Sequence, residues 1–220
     1  MVSHPNPWRQ SSLHKPSFRG VVHLWGAGVS VVVGVVLVVS VPRGWASVVC
    51  AAFAASVTAM LTVSAWFHRR FWADEGWHRM RRLDQTMIYV LIAGTYTALV
   101  GLGLDGGRRV TLLTVAWVGA GLGIALLWSP IRAPTGLQTS LFIALGWIAV
   151  VPMPWFWHDV GRVETVLIAA GGLLYTVGAV LLGLRWPDVV TGHFGYHEVW
   201  HVLVAVAIGL HYAAVFRVAG

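Results

Sequence analysis

Seven stretches of this chain are each long and apolar enough to cross a hydrocarbon layer about 30 Å thick, for which roughly 17–25 helical residues suffice. They fall at 21–41, 45–67, 84–104, 110–128, 137–154, 163–184 and 195–216. The connections between them leave no room for a separate soluble domain. Only 10% of the 220 residues are charged, against about 25% in an ordinary soluble domain. Within a bilayer a backbone must satisfy its own hydrogen bonds, so each stretch is expected to be a helix, even the valine-rich first one, which would suggest a strand in water. The expected fold class is an all-α membrane protein, a seven-transmembrane helix bundle. Its organisation reads as an N-terminal tail over residues 1–20 and a single seven-helix transmembrane domain over 21–220.

The formal charge of +7 does not point to nucleic acid, because the basic residues sit in the connections and form no stripe or arm. Topology accounts for them. With a cytoplasmic N-terminus, the inside segments hold Arg9, Lys15, Arg19, Arg69, Arg70, Arg79, Arg81, Arg82, Arg132 and Arg185. The outside segments hold Arg43, Arg108, Arg109, Arg162 and Arg217. The excess of Lys and Arg on cytoplasmic loops therefore predicts a multi-pass protein of the cell membrane with its N-terminus in the cytoplasm and its C-terminus outside. Cys50 is the sole cysteine and lies inside the second span, which excludes an intrachain disulfide or a thiolate metal cluster. The polar, proline-containing start of the chain does not read as a cleaved signal peptide.

A few polar residues stand out against this apolar background. His197-Glu198-Val199-Trp200-His201 is an H-E-x-x-H on an expected helix, so the two imidazoles lie one turn apart and can share one zinc ion. With ten histidines in the chain, that spacing alone is weak. His68 adds weight because it ends the second span while His197 begins the seventh, on the same side by the alternation of spans. Ser64 lies one turn deeper than His68 on the same helical face. Asp84 opens the third span on that side too, and an ionisable residue in or near a bilayer is by default functional. Three neutral imidazoles around zinc leave a fourth position for a water whose pKa falls to about 7. Asp84 is then the candidate base for that water and Ser64 the candidate holder of a water or substrate oxygen. Glu198 serves either as a base or, as favoured here, faces the cytoplasmic rim. His23 is a candidate supporting residue, His193 is a rival ligand, and His211 is too far along the helix to join.

Taken together, Ser64-Ala-Trp-Phe-His68, Leu83-Asp84, Ala93-Gly94-Thr95-Tyr96-Thr97 and His197-Glu-Val-Trp-His201 resemble the bacterial haemolysin III proteins. These belong with the progestin and adipoQ receptors, including the adiponectin receptors. The resemblance implies a seven-helix bundle with Zn²⁺ held by His68, His197 and His201 near the cytoplasmic face, and Asp84 and Ser64 beside it. An early family motif of Glu and Asn ahead of a histidine stands here as Ser17, Arg19 and His23. The related receptors, and the alkaline ceramidases of the wider superfamily, imply hydrolysis of amide-linked lipids. The leading expectation is thus a metal-dependent hydrolase of lipid amide or ester bonds, its lipid substrate entering from the bilayer. The alternatives are a non-enzymatic haemolysin or receptor with a structural zinc and an intramembrane zinc protease. The sequence does not fix the oligomeric state.

Overall fold

The computed structural model describes residues 15–130 and 135–220. The tail before Lys15, with Arg9, and the basic residue Arg132 lie outside the described residues. The architecture is all-helical: α1 (Val21–Ser40), α2 (Trp45–Arg69), α3 (Asp74–Gly103), α4 (Gly106–Trp128), α5 (Thr135–Trp147), α6 (Arg162–Leu184) and α7 (Tyr196–Ala219). Seven segments are long and apolar enough to cross a membrane, the fifth running from Gly136 to Val160. This is a multi-pass membrane protein.

The first helix shows how the bundle is turned out. Val29, Val32, Val36 and Val39 are exposed along one face of α1, whereas Ser30, Gly34 and Leu37 are buried. The apolar stripe thus faces outwards, as lipid permits, and the small and polar residues face the neighbouring helices. Ser30 meets Thr58 of α2 through their hydroxyls at 3.0 Å. Successive helices pack as antiparallel neighbours, and α3 lies centrally, touching α2, α4, α5 and α7. Its closest approach to α2 is at Gly94, where a Cβ would stand 2.1 Å from the Ser56 hydroxyl oxygen. Phe53, Val57, Leu91, Leu99, Ile208 and Tyr212 fill the core around that contact.

Two elements depart from expectation. The third helix starts at Asp74, not near Leu83, so the polar segment read as a loop is helical. Asp74 and Glu75 sit in its first turn, where the helix dipole favours acids, and Glu75 lies 4.0 Å from Arg79 one turn on. Trp77 and Met80 pack against Phe67 of α2, and that contact gives the polar turns a buried face. Asp84 is consequently nearly three turns into the helix. The fifth span does not end at Pro154. Beyond α5 the chain continues through a 3-10 turn at Ile148–Val150, a short helix at Met153–Trp155 and a π turn at Phe156–Val160. Proline breaks the regular ladder, but the hydroxyl of Tyr96 donates to the carbonyls of Leu145 and Gly146 at 3.2 and 3.3 Å. Partners of this kind keep irregular backbone tolerable at membrane depth.

Candidate metal centre

Three histidines converge at the end of the bundle where α2 finishes and α7 begins. His68 lies in the last turn of α2, and His197 and His201 occupy successive turns of α7. One ring nitrogen from each lies within 4.8 Å of the others, so the three can hold a metal ion. The Nε2 atoms of His68 and His197 are 3.3 Å apart. Two nitrogens bound at about 2.0–2.1 Å to one tetrahedral zinc stand about 3.3 Å apart, so this separation suits a shared ion. The three ring centroids are spaced at 4.7, 4.9 and 4.8 Å. Imidazole nitrogens of this kind suit zinc, copper, iron and nickel ions.

The carboxylate is Asp84, whose Oδ2 lies 3.7 Å from His68 Nε2. Ser64, one turn before His68, is a hydrogen-bonding neighbour of that carboxylate. Three helices therefore contribute: α2 with Ser64 and His68, α3 with Asp84, and α7 with the histidine pair. His23 of α1 is 2% exposed and stacks on His201 with centroids 3.9 Å apart and planes 6° from parallel. Its ring lies flat against the His201 imidazole and so limits how that ring can turn. His193 lies before α7 begins, hydrogen-bonded at 2.9 Å to the Ser17 hydroxyl, and stands outside the cluster. His211 is also outside it.

A family profile described as haemolysin-III related matches residues 11–212. The chain belongs to the haemolysin-III-related family. It is 33% identical over 122 residues to hemolysin-3 of Bacillus cereus, a match covering 56% of this chain and 53% of that protein. It is 27% identical over 154 residues to an adiponectin receptor protein of Drosophila melanogaster, covering 63% of this chain and 35% of the receptor. With the human monocyte to macrophage differentiation factor it shares 22% identity over 177 residues, 79% of this chain and 71% of the relative. The chain spans about half the length of the bacterial relatives it matches.

In this haemolysin-III-related protein Glu198 does not face an open rim. It is 1% exposed, its Oε1 lies 2.6 Å from Nε of Arg19, and its Oε2 accepts from the Gly195 amide at 2.9 Å. The reason is the start of α7: a glutamate three residues after Gly195 folds back to cap the helix N-terminus, and its remaining oxygen needs a cation once buried. Both oxygens are engaged away from the histidines.

Arg19 is the residue that sequence reasoning missed. It was visible as a departure from the family motif, but nothing in the spacing tied it to a glutamate on the last helix. It belongs to a strap, residues 15–20, laid across this end of the bundle. Phe18 donates its amide to the His193 carbonyl at 3.3 Å, and the Lys15 amine donates to the His68 carbonyl at 3.3 Å. Burial first, then the like charges of Arg19 and Arg69, pull the Lys15 amine down to about 8. Burial also lowers the Arg19 guanidinium, with Glu198 opposing the shift. The strap joins α1 at Gly20, whose φ of 75° favours glycine and whose Cβ would stand 2.9 Å from that of His68.

Proposed function

We propose that this protein is a zinc-dependent hydrolase of lipid amide or ester bonds, acting at the inner leaflet of the cell membrane with its N-terminus in the cytoplasm. The observation that carries the reading is the Asp84 carboxylate, 3.7 Å from a ring nitrogen of the three-histidine cluster. Zinc bound there would supply Lewis acidity and lower the pKa of a water to about 7. His68, His197 and His201 would hold it as neutral imidazoles, with His23 keeping the His201 ring in place. Asp84 would take the proton from the attacking water and return it to the leaving nitrogen or oxygen. Ser64 would orient the carboxylate for that transfer. The basic residues Arg69, Arg70, Arg79, Arg81 and Arg82 cluster near the histidine end, which supports its cytoplasmic placement.

An apolar cavity of about 310 Å³ between α3, α5, α6 and α7 supports a lipid substrate. Trp200, next to His201, and Ile88, one turn past Asp84, both line it. An acyl chain lying there would bring its carbonyl towards the cluster. The relatives named as hemolysin-3 favour a second reading, a cytolytic protein with a structural metal. The engagement of Glu198 with Arg19 and Gly195 counts against a protease that uses that glutamate as its base.

Asp84→Asn separates the first two readings. In a hydrolase it keeps zinc at the wild-type stoichiometry while turnover of a lipid amide by purified protein falls by a factor of 100 or more, as loss of a general base costs about 10²–10⁴. Lysis that persists undiminished in the variant, from a wild type with no turnover, would establish the cytolytic reading instead.

A further inference from the structure

Two residues in the wall of the cavity between α3, α5, α6 and α7 each hold a polar atom that meets no partner among the described residues. Thr95 and Thr176 of its lining donate to backbone carbonyls at 2.8 and 3.0 Å, and Tyr96 is bonded to Leu145 and Gly146. The Tyr175 hydroxyl on α6 and Nδ1 of His211 on α7 are both fully buried and meet no hydrogen-bond partner among the described residues. The two rings are neighbours in the wall, tilted by 55° with centroids 5.6 Å apart. A buried polar atom without a partner costs about 1–3 kcal/mol, so this pair marks where an occupant's polar group belongs.

The chemistry of the pair selects that group. The His211 ring lies against α6 at Gly171, where a Cβ would stand 2.4 Å from Nε2, and Nε2 is 3.4 Å from the Ile168 carbonyl oxygen. A carbonyl only accepts, so Nε2 carries the hydrogen and Nδ1 of the neutral ring is an acceptor. Tyr175 can donate or accept. An occupant that satisfies both must carry a hydrogen for Nδ1, while the Tyr175 hydroxyl adapts to either role; a hydroxyl meets both needs and a carbonyl oxygen does not. No charged side chain is among the described lining residues, so the group is neutral. We infer that this cavity recognises a hydroxyl on an apolar lipid chain through His211 and Tyr175. His211 lies ten residues beyond His201, roughly 15 Å along α7, too far for the group reacting at the histidines. If the hydroxyl is borne mid-chain on an acyl substrate, the inference rests on the hydrolase reading; if it belongs to a separate lipid alcohol, it stands alone.

The test is a comparison of affinities for purified full-length protein in lipid nanodiscs, using two radiolabelled pairs: hydroxystearic acid with a mid-chain hydroxyl against stearic acid, and stearyl alcohol against octadecane. Preference for the hydroxylated acid by about tenfold is expected for a tail hydroxyl, and preference confined to stearyl alcohol is expected for a separate alcohol. Either preference should fall to within twofold in Tyr175→Phe and in His211→Leu, while the unhydroxylated partner binds as before. Equal affinity within both pairs for the wild type overturns the inference, as does a preference that survives in both variants. Turnover is measured separately on the same preparations, so a protein that binds selectively without hydrolysing sinks only the hydrolase reading.

Discussion

Arg19 and Glu198 form an ion pair in which the side chains are 11% and 1% exposed, and a charge so placed depends on its partner. Removing one member of such a pair leaves the other buried and uncompensated, at a cost of about 3–5 kcal/mol. Replacing both with neutral side chains of similar size avoids that penalty. Arg19→Leu should therefore lower the thermal unfolding midpoint sharply, and Arg19→Leu with Glu198→Gln should recover most of the loss. Equal midpoints for the single and double variants would show that the pair is not what holds the strap. The residues of the cluster itself were legible because helical spacing places His197 above His201 and because spans alternate direction, which brings His68 to the same end. The fate of Glu198 was not legible. Its partner precedes the first helix, and no local pattern reports a contact between residue 19 and residue 198. The H-E-x-x-H spacing invites a role for the glutamate in catalysis, but capping and ion pairing compete for the same oxygens and here take both.

At the scale of an element, what matters in a bilayer is how closely two helices approach, because lipid provides no hydrophobic drive between them. The α2–α3 contact depends on Gly94, where a new Cβ would lie 2.1 Å from Ser56 Oγ and 2.6 Å from Ser56 Cβ. Ser56 cannot swing aside without giving up its 2.7 Å bond to the Phe53 carbonyl. Gly94→Ala is thus expected to destabilise by about 1–3 kcal/mol, the usual cost of overpacking. Gly121→Ala on α4, where nothing lies within 4 Å of a new Cβ, should be neutral or slightly stabilising. Thermal unfolding of both variants in detergent checks the contrast, and similar midpoints would refute the account of the contact. Hydropathy located most of the helix boundaries closely, since lipid-facing length is what it measures. It failed at the start of α3, where Asp74 to Arg82 form polar helical turns stabilised by Trp77 and Met80 against Phe67. It failed again after Pro152, where the chain continues in helical turns and the buried Phe156 lies against α3 at Gly103.

For the whole molecule, the histidine cluster links helices that otherwise meet sparingly: α2 packs mainly on α1 and α3, and α7 mainly on α6. A shared ion would close that arrangement by tying His68 to His197 and His201. The apolar cavity further along the bundle was not legible from sequence, because residues that face lipid and residues that face an internal cavity are equally apolar. The cluster was legible, and an ion held there would couple the whole fold's stability to metal. A ligand that binds only the folded state adds about 2.7 kcal/mol at a free concentration one hundred times its dissociation constant. For a chain of this size that corresponds to a midpoint shift of roughly 5–10 °C. Stripping purified protein with a zinc-selective chelator should lower the midpoint by this amount, and added zinc should restore it. His68→Ala should begin at the lower midpoint, contain little metal by elemental analysis and ignore the chelator. His193→Ala, whose ring is bonded to Ser17 outside the cluster, should behave as the wild type does. Zinc retained at full stoichiometry in His68→Ala would place the ion elsewhere and remove the cluster from both stability and catalysis.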